Sequence, residues 1–244
     1  MIRALGCAGG RSWRVSRRPC SHGASVLAVP VAAFVPYPPL LVTGVTGGVV
    51  PEADELRAAC LAAVRRLVSS AEGRLYVIGP DGPAGALGGV GPCLEGTVNA
   101  TLPMSLAVGE WLLVAAGWSG DAAMMRLQAD ASAERCRDLG ERLQHESLLV
   151  LGDGSNRRGP KPPGGPDSRA DAFDAGVAAA LRTGDPQGLA AVPRDLAQDL
   201  GATGWPGWHV LAGWAQGRAI AKSSLEYDDA PFGVGYLGGS WSTG

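Results

Sequence analysis

Polar side chains occur in four short segments that also carry the glycines and prolines typical of strand ends. The residues that could take part in chemistry there are Tyr37, Asp81, Asp153, Ser155, Asn156, Glu226 and Asp228. Carboxylates can exchange protons, and hydroxyl and amide groups can hydrogen-bond a ligand. In open α/β sheets, ligands bind beyond the carboxyl ends of the strands. These segments therefore indicate a site at such an edge.

Each of these segments also has an explanation that needs no site. Asp153 and Ser155 can cap the following turn through side-chain hydrogen bonds. Asp81 precedes Gly82, a pair that is typical of a turn. The acidic residues from 226 to 229 can form a solvated patch at a strand end. The residue types alone leave both interpretations open.

Histidine and cysteine are too sparse for the common metal sites. The only histidines are His22, His145 and His209, so a multi-histidine site cannot be assembled. The five cysteines show no Cys-x-x-Cys spacing, which argues against a disulfide framework and against a zinc knuckle. We expect a reducing, cytoplasmic compartment, and Cys60 lies on an apolar helical stripe as a core residue.

Charge and hydropathy exclude several classes of protein. The formal net charge is −2, and Lys and Arg are scattered, so we expect no nucleic-acid partner. No apolar stretch approaches the roughly 20 residues that span a bilayer, so we expect a soluble protein without a membrane partner. Neither a dinucleotide-binding fingerprint nor a P-loop occurs.

The first 24 residues differ from the rest of the chain. They contain five arginines and no acidic residue, and they lack the apolar pattern of a core element. We predict a disordered extension over 1–24 and a single domain over 25–244. Two interpretations are open. One is an unstructured extension from an early translation start. The other is a twin-arginine signal, because Ser16-Arg17-Arg18 precedes an apolar run.

Strand-like and helix-like segments alternate along the domain. The apolar run Ala24 to Ala33, which is followed by Phe34 and the proline loop, predicts a first buried strand. Further strands are predicted at 75–78, 124–128, 148–151, 219–221 and 233–237, and helices at 52–70, 105–116, 132–143, 170–182, 195–200 and 208–215. Residues 79–98 are predicted to form a long loop, and Trp205, Trp208, Trp214 and His209 to lie in the core. This alternation predicts an α/β fold, a layered α/β/α domain with a central, mostly parallel or mixed sheet.

Several loops, in order and in context, resemble those of class III extradiol ring-cleavage dioxygenases. They are the proline loop before Leu40 and Leu41, the strand and loop at 148–158, the stretch 166–174 and the segment 231–236. The similarity covers Val26 to Trp241. It is nearest to actinobacterial proteins with the LigB-like domain and more distant to Memo-type proteins. The resemblance implies a LigB-like fold and, as in many relatives, a homodimer.

The resemblance also implies a ferrous iron site. In that family two histidines and a carboxylate or cysteine hold the iron, and a further histidine acts as acid and base. The matching positions here are Tyr37, Asp81, the segment Glu226 to Asp228 and, for the acid and base, Asn156. None of the expected histidines is present. An oxygen-rich set of Tyr37, Asp81, Glu226 and Asp228 would suit a harder cation instead.

Two classes of function remain open from the sequence. One is an enzyme for metal-dependent oxidative ring opening of a catechol-type compound, in which Asp153, Ser155 and Asn156 act on a small aromatic or carbonyl substrate. The other is a catalytically silent relative that binds a ligand or a partner, as the Memo-type similarity permits. Neutral tyrosine is a poor iron(II) ligand, and asparagine cannot exchange a proton near pH 7.

Overall fold

The computed structural model describes residues 29–45, 47–83 and 101–244. The predicted N-terminal extension and most of the long loop at 79–98 lie outside the described residues, as do Cys7, Cys20 and Cys93. Within the described residues, no helix is both long and apolar enough to cross a membrane.

Helices and strands alternate through the first two thirds of the domain and end in a two-stranded hairpin. In chain order they are β1 Val31–Val35, a short 3-10 turn Pro39–Leu41, α1 Pro51–Ser70, β2 Leu75–Pro80, α2 Met104–Ala115, β3 Ala122–Leu127, α3 Ala133–Arg142, β4 Ser147–Leu151, α4 Ala170–Thr183, α5 Pro186–Ala190, α6 Arg194–Asp199, α7 Trp205–Trp214, β5 Ile220–Asp229 and β6 Tyr236–Thr243.

The six strands form one mixed sheet in the order β3-β2-β4-β1-β6-β5. The first four in this order are parallel to one another, β6 is antiparallel to β1, and β5 is antiparallel to β6. Because two antiparallel steps restore the direction, β5 runs parallel to β1. The predicted mixed sheet is confirmed.

Helices cover both faces of the sheet. On one face α1 and α2 bury apolar stripes that include Leu56, Cys60 and Leu106. On the other face α3, α4 and α7 bury residues such as Phe173 and Trp214. Strand residues alternate between these two cores, as a pleated strand requires. The α/β/α layering is therefore confirmed, and so are Cys60 and the predicted tryptophan cluster as core residues.

Helices α3 and α7 approach each other through glycine. A Cβ atom on Gly140 of α3 would overlap the carbonyl oxygen of Val210, and one on Gly213 of α7 would overlap the carbonyl of Arg137. Only a residue without a side chain fits such a contact, so the two helices meet backbone to backbone.

The C-terminal hairpin departs from the prediction. The strands predicted at 219–221 and 233–237 are much longer in the structure, β5 having ten residues and β6 eight. The sequence of β6 includes Gly238 and Gly239 and several hydroxyl residues, so it has no continuous apolar run. A Cβ at Gly239 would overlap the carbonyl oxygen of Ser224 in β5 and would lie 2.7 Å from the Phe34 ring, which explains the glycine there. Helix α5 was not predicted.

The strand order creates a crevice at the carboxyl end of β4. Strand β4 lies between β1 and β2, whose following helices α1 and α2 cover one face of the sheet. The chain after β4 instead leads to α4 on the opposite face. Where connections part in this way, loops diverge and leave room for a ligand.

Candidate functional site

The loops after β1 and β4 are joined at this crevice. The N–H of Tyr37 donates to Oδ1 of Asp153 at 3.0 Å, and the two strands are parallel neighbours. Burial raises the pKa of Asp153 to about 7, although the Tyr37 N–H acts in the opposite direction. In the described part of the chain, no Lys or Arg nitrogen lies within 4.0 Å of this carboxyl. Asp153 can therefore gain or lose a proton near neutral pH.

The phenol of Tyr37 stays protonated at neutral pH. Burial and the nearby Asp153 charge raise its pKa to about 12, although a hydrogen bond with Thr203 favours the ionised form. The Thr203 hydroxyl also accepts the N–H of Asp153 at 3.1 Å. Tyr37 and Thr203 thus join the loop after β1 to the turn before α7 through neutral hydroxyl groups.

A cleft of about 380 Å³ opens beside these hydroxyls. Its walls come from the ends of β2 and β3, the loops after β1 and β4, and the segment from α6 to α7. The lining residues are Tyr37, Pro80, Asp81, Leu127, Ala129, Asn156, Arg194, Ala197, Gln198, Gly201, Ala202, Thr203, Trp205 and Pro206. Most are apolar, with a few polar groups directed at the same space, which is the usual composition of a small-molecule site.

Asn156 is held rigidly in the cleft wall. A Cβ on either Gly164 or Gly201 would overlap its side-chain amide, so only glycine fits on both sides. Gly201 also has a φ of 65°, which favours glycine. The amide oxygen is buried without a hydrogen-bond partner, and the side chain makes no hydrogen bond to the described protein. Its hydrogen-bonding capacity is therefore unused.

Asp81 borders the cleft, and both of its carboxylate oxygens already accept hydrogen bonds. One carboxylate oxygen accepts the N–H of Gly82 at 2.9 Å, and the other accepts from Gln128 at 2.8 Å. Hydrogen bonds from Gln128 and Gly82, with the charge of Arg126, lower the pKa of Asp81. Residues 81–83 do not form a turn, and the residues that follow them lie outside the described part of the chain, so the turn that the sequence suggested is not observed. Asp81 also lines a second, smaller cleft of about 180 Å³, which shares Tyr37 and Pro80 with the first.

Ser155 does not reach the cleft. Its hydroxyl is fully buried, donates to the carbonyl of Leu200 at 3.0 Å and accepts the N–H of Arg157 at 3.1 Å. The expected substrate role for Ser155 is therefore not supported, because both hydroxyl functions hold the loop. The turn-capping alternative describes it correctly.

Asp174, which the sequence reasoning did not select, supports the same loop. Its buried carboxylate accepts the N–H of Ser155 at 2.9 Å, and Arg158 lies 3.7 Å away. Burial raises the pKa of Asp174 to about 6, while the Ser155 N–H and Arg158 lower it. The sequence did contain a feature that could have identified Asp174: it is an acidic residue next to Phe173 on the apolar face of the predicted helix α4.

Glu226 and Asp228 stand apart from the cleft. Glu226 is paired with Arg66 of α1, and Asp228 is paired with Arg182 of α4 at 2.7 Å, so they face opposite sides of the sheet. A bulge between Leu225 and Tyr227 in β5 accounts for this change of face. Four strand spacings, roughly 19 Å, separate β5 from the strand before Asp81.

The four predicted metal ligands therefore do not converge. Tyr37 and Asp81 border the cleft, whereas Glu226 and Asp228 neutralise arginines elsewhere. Among residues 29–45, 47–83 and 101–244, no group of three His, Cys, Asp or Glu side chains could hold a metal ion. This donor arrangement does not fit ferrous iron or a harder cation at the predicted position.

The sequence reasoning also missed the wall formed by α6 and the start of α7. Arg194, Thr203 and Trp205 all line the cleft. Trp205 was predicted only as a core residue, and it is both buried and part of the cleft wall. The turn before α7 contains Gly201 and Gly204, a composition that predicts a turn but not its position beside β1.

Comparisons with known proteins assign no family. No protein-family model and no curated protein matches the chain. Matching chains exist among solved structures, one being the crystal structure of an uncharacterized protein from Escherichia coli K12. It is 13% identical, with a TM-score of 0.48, over 88% of this chain and 100% of that chain. The likeness carries no statement about function.

Proposed function

We propose that the chain binds a small aromatic or carbonyl compound in the cleft between Tyr37 and Trp205, without ferrous iron. In this proposal it is a LigB-like relative of the class III extradiol dioxygenases that has kept a ligand site and lost ring cleavage by the family's usual iron. Between the two classes of function left open by the sequence, the side-chain geometry favours binding.

The first support is the composition of the cleft. Leu127, Ala202 and Trp205 offer apolar surface for a ring, and Tyr37 and Thr203 offer hydroxyl groups at one side. A volume of about 380 Å³ lies in the range of small-molecule pockets. The cleft also occupies the part of the sheet where α/β proteins bind ligands.

The observation that carries the proposal is the amide of Asn156. It lines the cleft, is clamped by glycine on two sides and makes no hydrogen bond to the described protein. The buried Oδ1 has no surface open to a ligand, whereas Nδ2 is not buried and has no partner in the described protein. A ligand hydroxyl or carbonyl oxygen that accepts a hydrogen bond from Nδ2 would satisfy this group, and such a bond contributes roughly 0.5–1.5 kcal/mol.

The test is a titration of the full chain, treated with a chelator, with catechol and with 4-hydroxybenzaldehyde. Trp205 lies in the wall, so we expect tryptophan fluorescence to change on binding, and calorimetry gives the affinity. Asn156→Leu should lower the affinity about tenfold, because one hydrogen bond is lost. Gln187→Leu changes an exposed amide on α5 and should leave the affinity unchanged.

The same protein is then supplied with ferrous iron and air in the presence of catechol. We expect neither tighter binding nor an absorbance change from ring opening, because the predicted ligands are dispersed. Iron-dependent ring opening would contradict the proposal, and so would the absence of binding by both probes. If Asn156→Leu bound the probes with unchanged affinity, the ligand would not bind at Asn156, which would contradict the proposed site.

A further inference from the structure

Among the described residues that line the cleft, Arg194 is the positively charged one. It begins α6 and is half-buried, with its guanidinium carbon 5.5 Å from the centre of the Trp205 ring. One of its N–H groups donates to the carbonyl oxygen of Ala129 at 3.0 Å. The ring and the carbonyl hold the guanidinium at the rim of the cleft.

Arg194 has no carboxylate partner within 4.0 Å in the described part of the chain. Other partly buried arginines are neutralised, Arg66 by Glu226 and Arg158 by Asp171 and Asp174. Arg157, which follows the cleft residue Asn156, uses its guanidinium on the main-chain carbonyls of 164 and 199. A guanidinium has five N–H groups, and within the described residues one hydrogen bond is made by that of Arg194, to Ala129.

The negative groups near the cleft do not neutralise Arg194. Asp81 borders the opposite side, on the loop after β2, where it is bonded to Gln128 and lies 3.7 Å from Arg126. Asp153 accepts the N–H of Tyr37 and is not among the residues that line the cleft. The acidic residues of α6, Asp195 and Asp199, do not line the cleft, and Asp199 is paired with Arg169. At the end of the cleft formed by α6 and α7, the charged side chain that lines the wall in the described structure is therefore that of Arg194.

We propose that the ligand of this cleft is an aromatic carboxylate whose carboxylate group pairs with Arg194 and whose ring lies against the apolar wall. This inference rests on the proposed function, since it specifies the chemistry of a ligand bound in the same cleft. A planar carboxylate matches a single guanidinium better than a more highly charged group, because such pairs form parallel N–H to oxygen bonds. The Trp205 ring keeps the guanidinium oriented and partly shielded from water, which strengthens the pair.

The test compares 4-hydroxybenzoate with its neutral analogue 4-hydroxybenzamide at pH 6. The wild-type chain should bind the benzoate at least tenfold more tightly, because only the benzoate carries a charge. Arg194→Gln should abolish this preference while leaving the affinity for the benzamide within about threefold. Arg65→Gln removes an exposed arginine of α1 on the other face of the sheet and should keep the preference intact.

Arg194→Lys keeps the charge without the planar fork, and it should retain part of the preference. Circular dichroism and thermal unfolding verify that each variant is folded. If Arg194→Gln does not fold, the comparison of the two probes on the wild-type chain still tests the proposal. Equal affinities of the wild-type chain for both probes would overturn the assignment of an anionic ligand, while leaving the binding cleft in place. A preference that survives in Arg194→Gln would also overturn it. If neither probe binds, both proposals fail.

Discussion

Acidic side chains lie at the carboxyl ends of both β4 and β5, yet the two regions use them in opposite ways. At β5, Glu226 and Asp228 are each paired with an arginine from a covering helix. At β4, Asp153 has a main-chain N–H as its partner, and in the described residues no arginine or lysine nitrogen comes within 4.0 Å. The same residue type is therefore structural in one place and protonatable in the other.

The difference follows from what replaces water around each carboxyl. A nearby cation favours the charged form, whereas burial without a cation favours the neutral form. A carboxylate that neutralises an arginine is also unavailable as a metal ligand. The identity of the neighbouring side chain, rather than the presence of an acid, separates a ligand-binding edge from a stabilising one.

The largest change in the free energy of unfolding is expected where the loop after β4 contacts the start of β6, the partner strand of β5. Gly235, just before β6, exchanges hydrogen bonds with the loop after β4: its N–H donates to the Ser155 carbonyl, and its carbonyl accepts the Gly154 N–H, both at 2.7 Å. A Cβ at 235 would overlap the carboxylate of Asp174. We expect Gly235→Ala to lower the free energy of unfolding by about 3 kcal/mol, measured by urea denaturation.

The matched control is Gly176→Ala in α4, where nothing lies within 4 Å of the added carbon. That change should be neutral or stabilising by roughly 0.5–1 kcal/mol, since alanine favours a helix. If the two alanine variants were equally stable, the contact between Asp174 and the glycines would not hold the cleft loop.

A smaller effect should appear in the pH dependence of stability. Asp153 has its pKa raised to about 7 in the folded chain, so the folded state binds the proton more tightly than the unfolded state. The resulting stabilisation is complete below about pH 4 and is lost as pH rises through 7. Asp153→Asn keeps an acceptor for the Tyr37 N–H without the charge. We expect it to be more stable than the wild type at pH 8, on the order of 2 kcal/mol, and similar at pH 4.

Asp167 provides a control of opposite sign. Hydrogen bonds from Arg169 lower the pKa of Asp167 to about 2, so its contribution is present above about pH 4 and is lost as pH falls through 2. Asp167→Asn should therefore be less stable than the wild type at pH 8. Thermal unfolding at pH 4, 6 and 8 follows both variants. A gain in Asp153→Asn that does not depend on pH would show that burial of its charge is not the cause.

The smallest effect is expected at β5. Glu226→Gln leaves Arg66 without a counter-charge and should cost about 1 kcal/mol, reduced by the exposure of the arginine. Asp228→Asn breaks a more exposed pair and should cost less than about 0.5 kcal/mol. Neither variant should change the affinity of the cleft for 4-hydroxybenzoate. If the wild-type chain bound iron and either variant lost it, Glu226 and Asp228 would be metal ligands and not only partners of arginines.

Much of the fold could be predicted because its elements carry strong local patterns. The stripe of α1 repeats every three or four residues, and the apolar run at 148–151 is bounded by polar residues and glycine, so both were placed within one or two residues. Strand β6 was not, because its glycines and hydroxyl residues have no apolar period. Pairing with β1 and the close approach of Phe34 to Gly239 define that strand, and both are long-range contacts.

The site could be predicted only to the extent that strand ends share an edge. That rule identified Tyr37, Asp81, Asp153 and Asn156, which the structure brings together. It could not identify strand order, so it also included Glu226 and Asp228, which lie at the far side of the sheet. Arg194 and Thr203 were missed because their segment returns to the cleft only through the packing of α7.

The glycine contact between α3 and α7 has a mechanical consequence for the cleft. Trp205 is the first residue of α7, and Thr203 lies in the turn just before it. Movement of that helix along or around its axis would disturb the backbone contacts that it makes with α3 through Gly140 and Gly213. The wall of the cleft that contains Thr203 and Trp205 is therefore expected to be rigid. Any widening that admits a bulky compound must come from the opposite side, where the loops carrying Tyr37 and Asp81 follow β1 and β2.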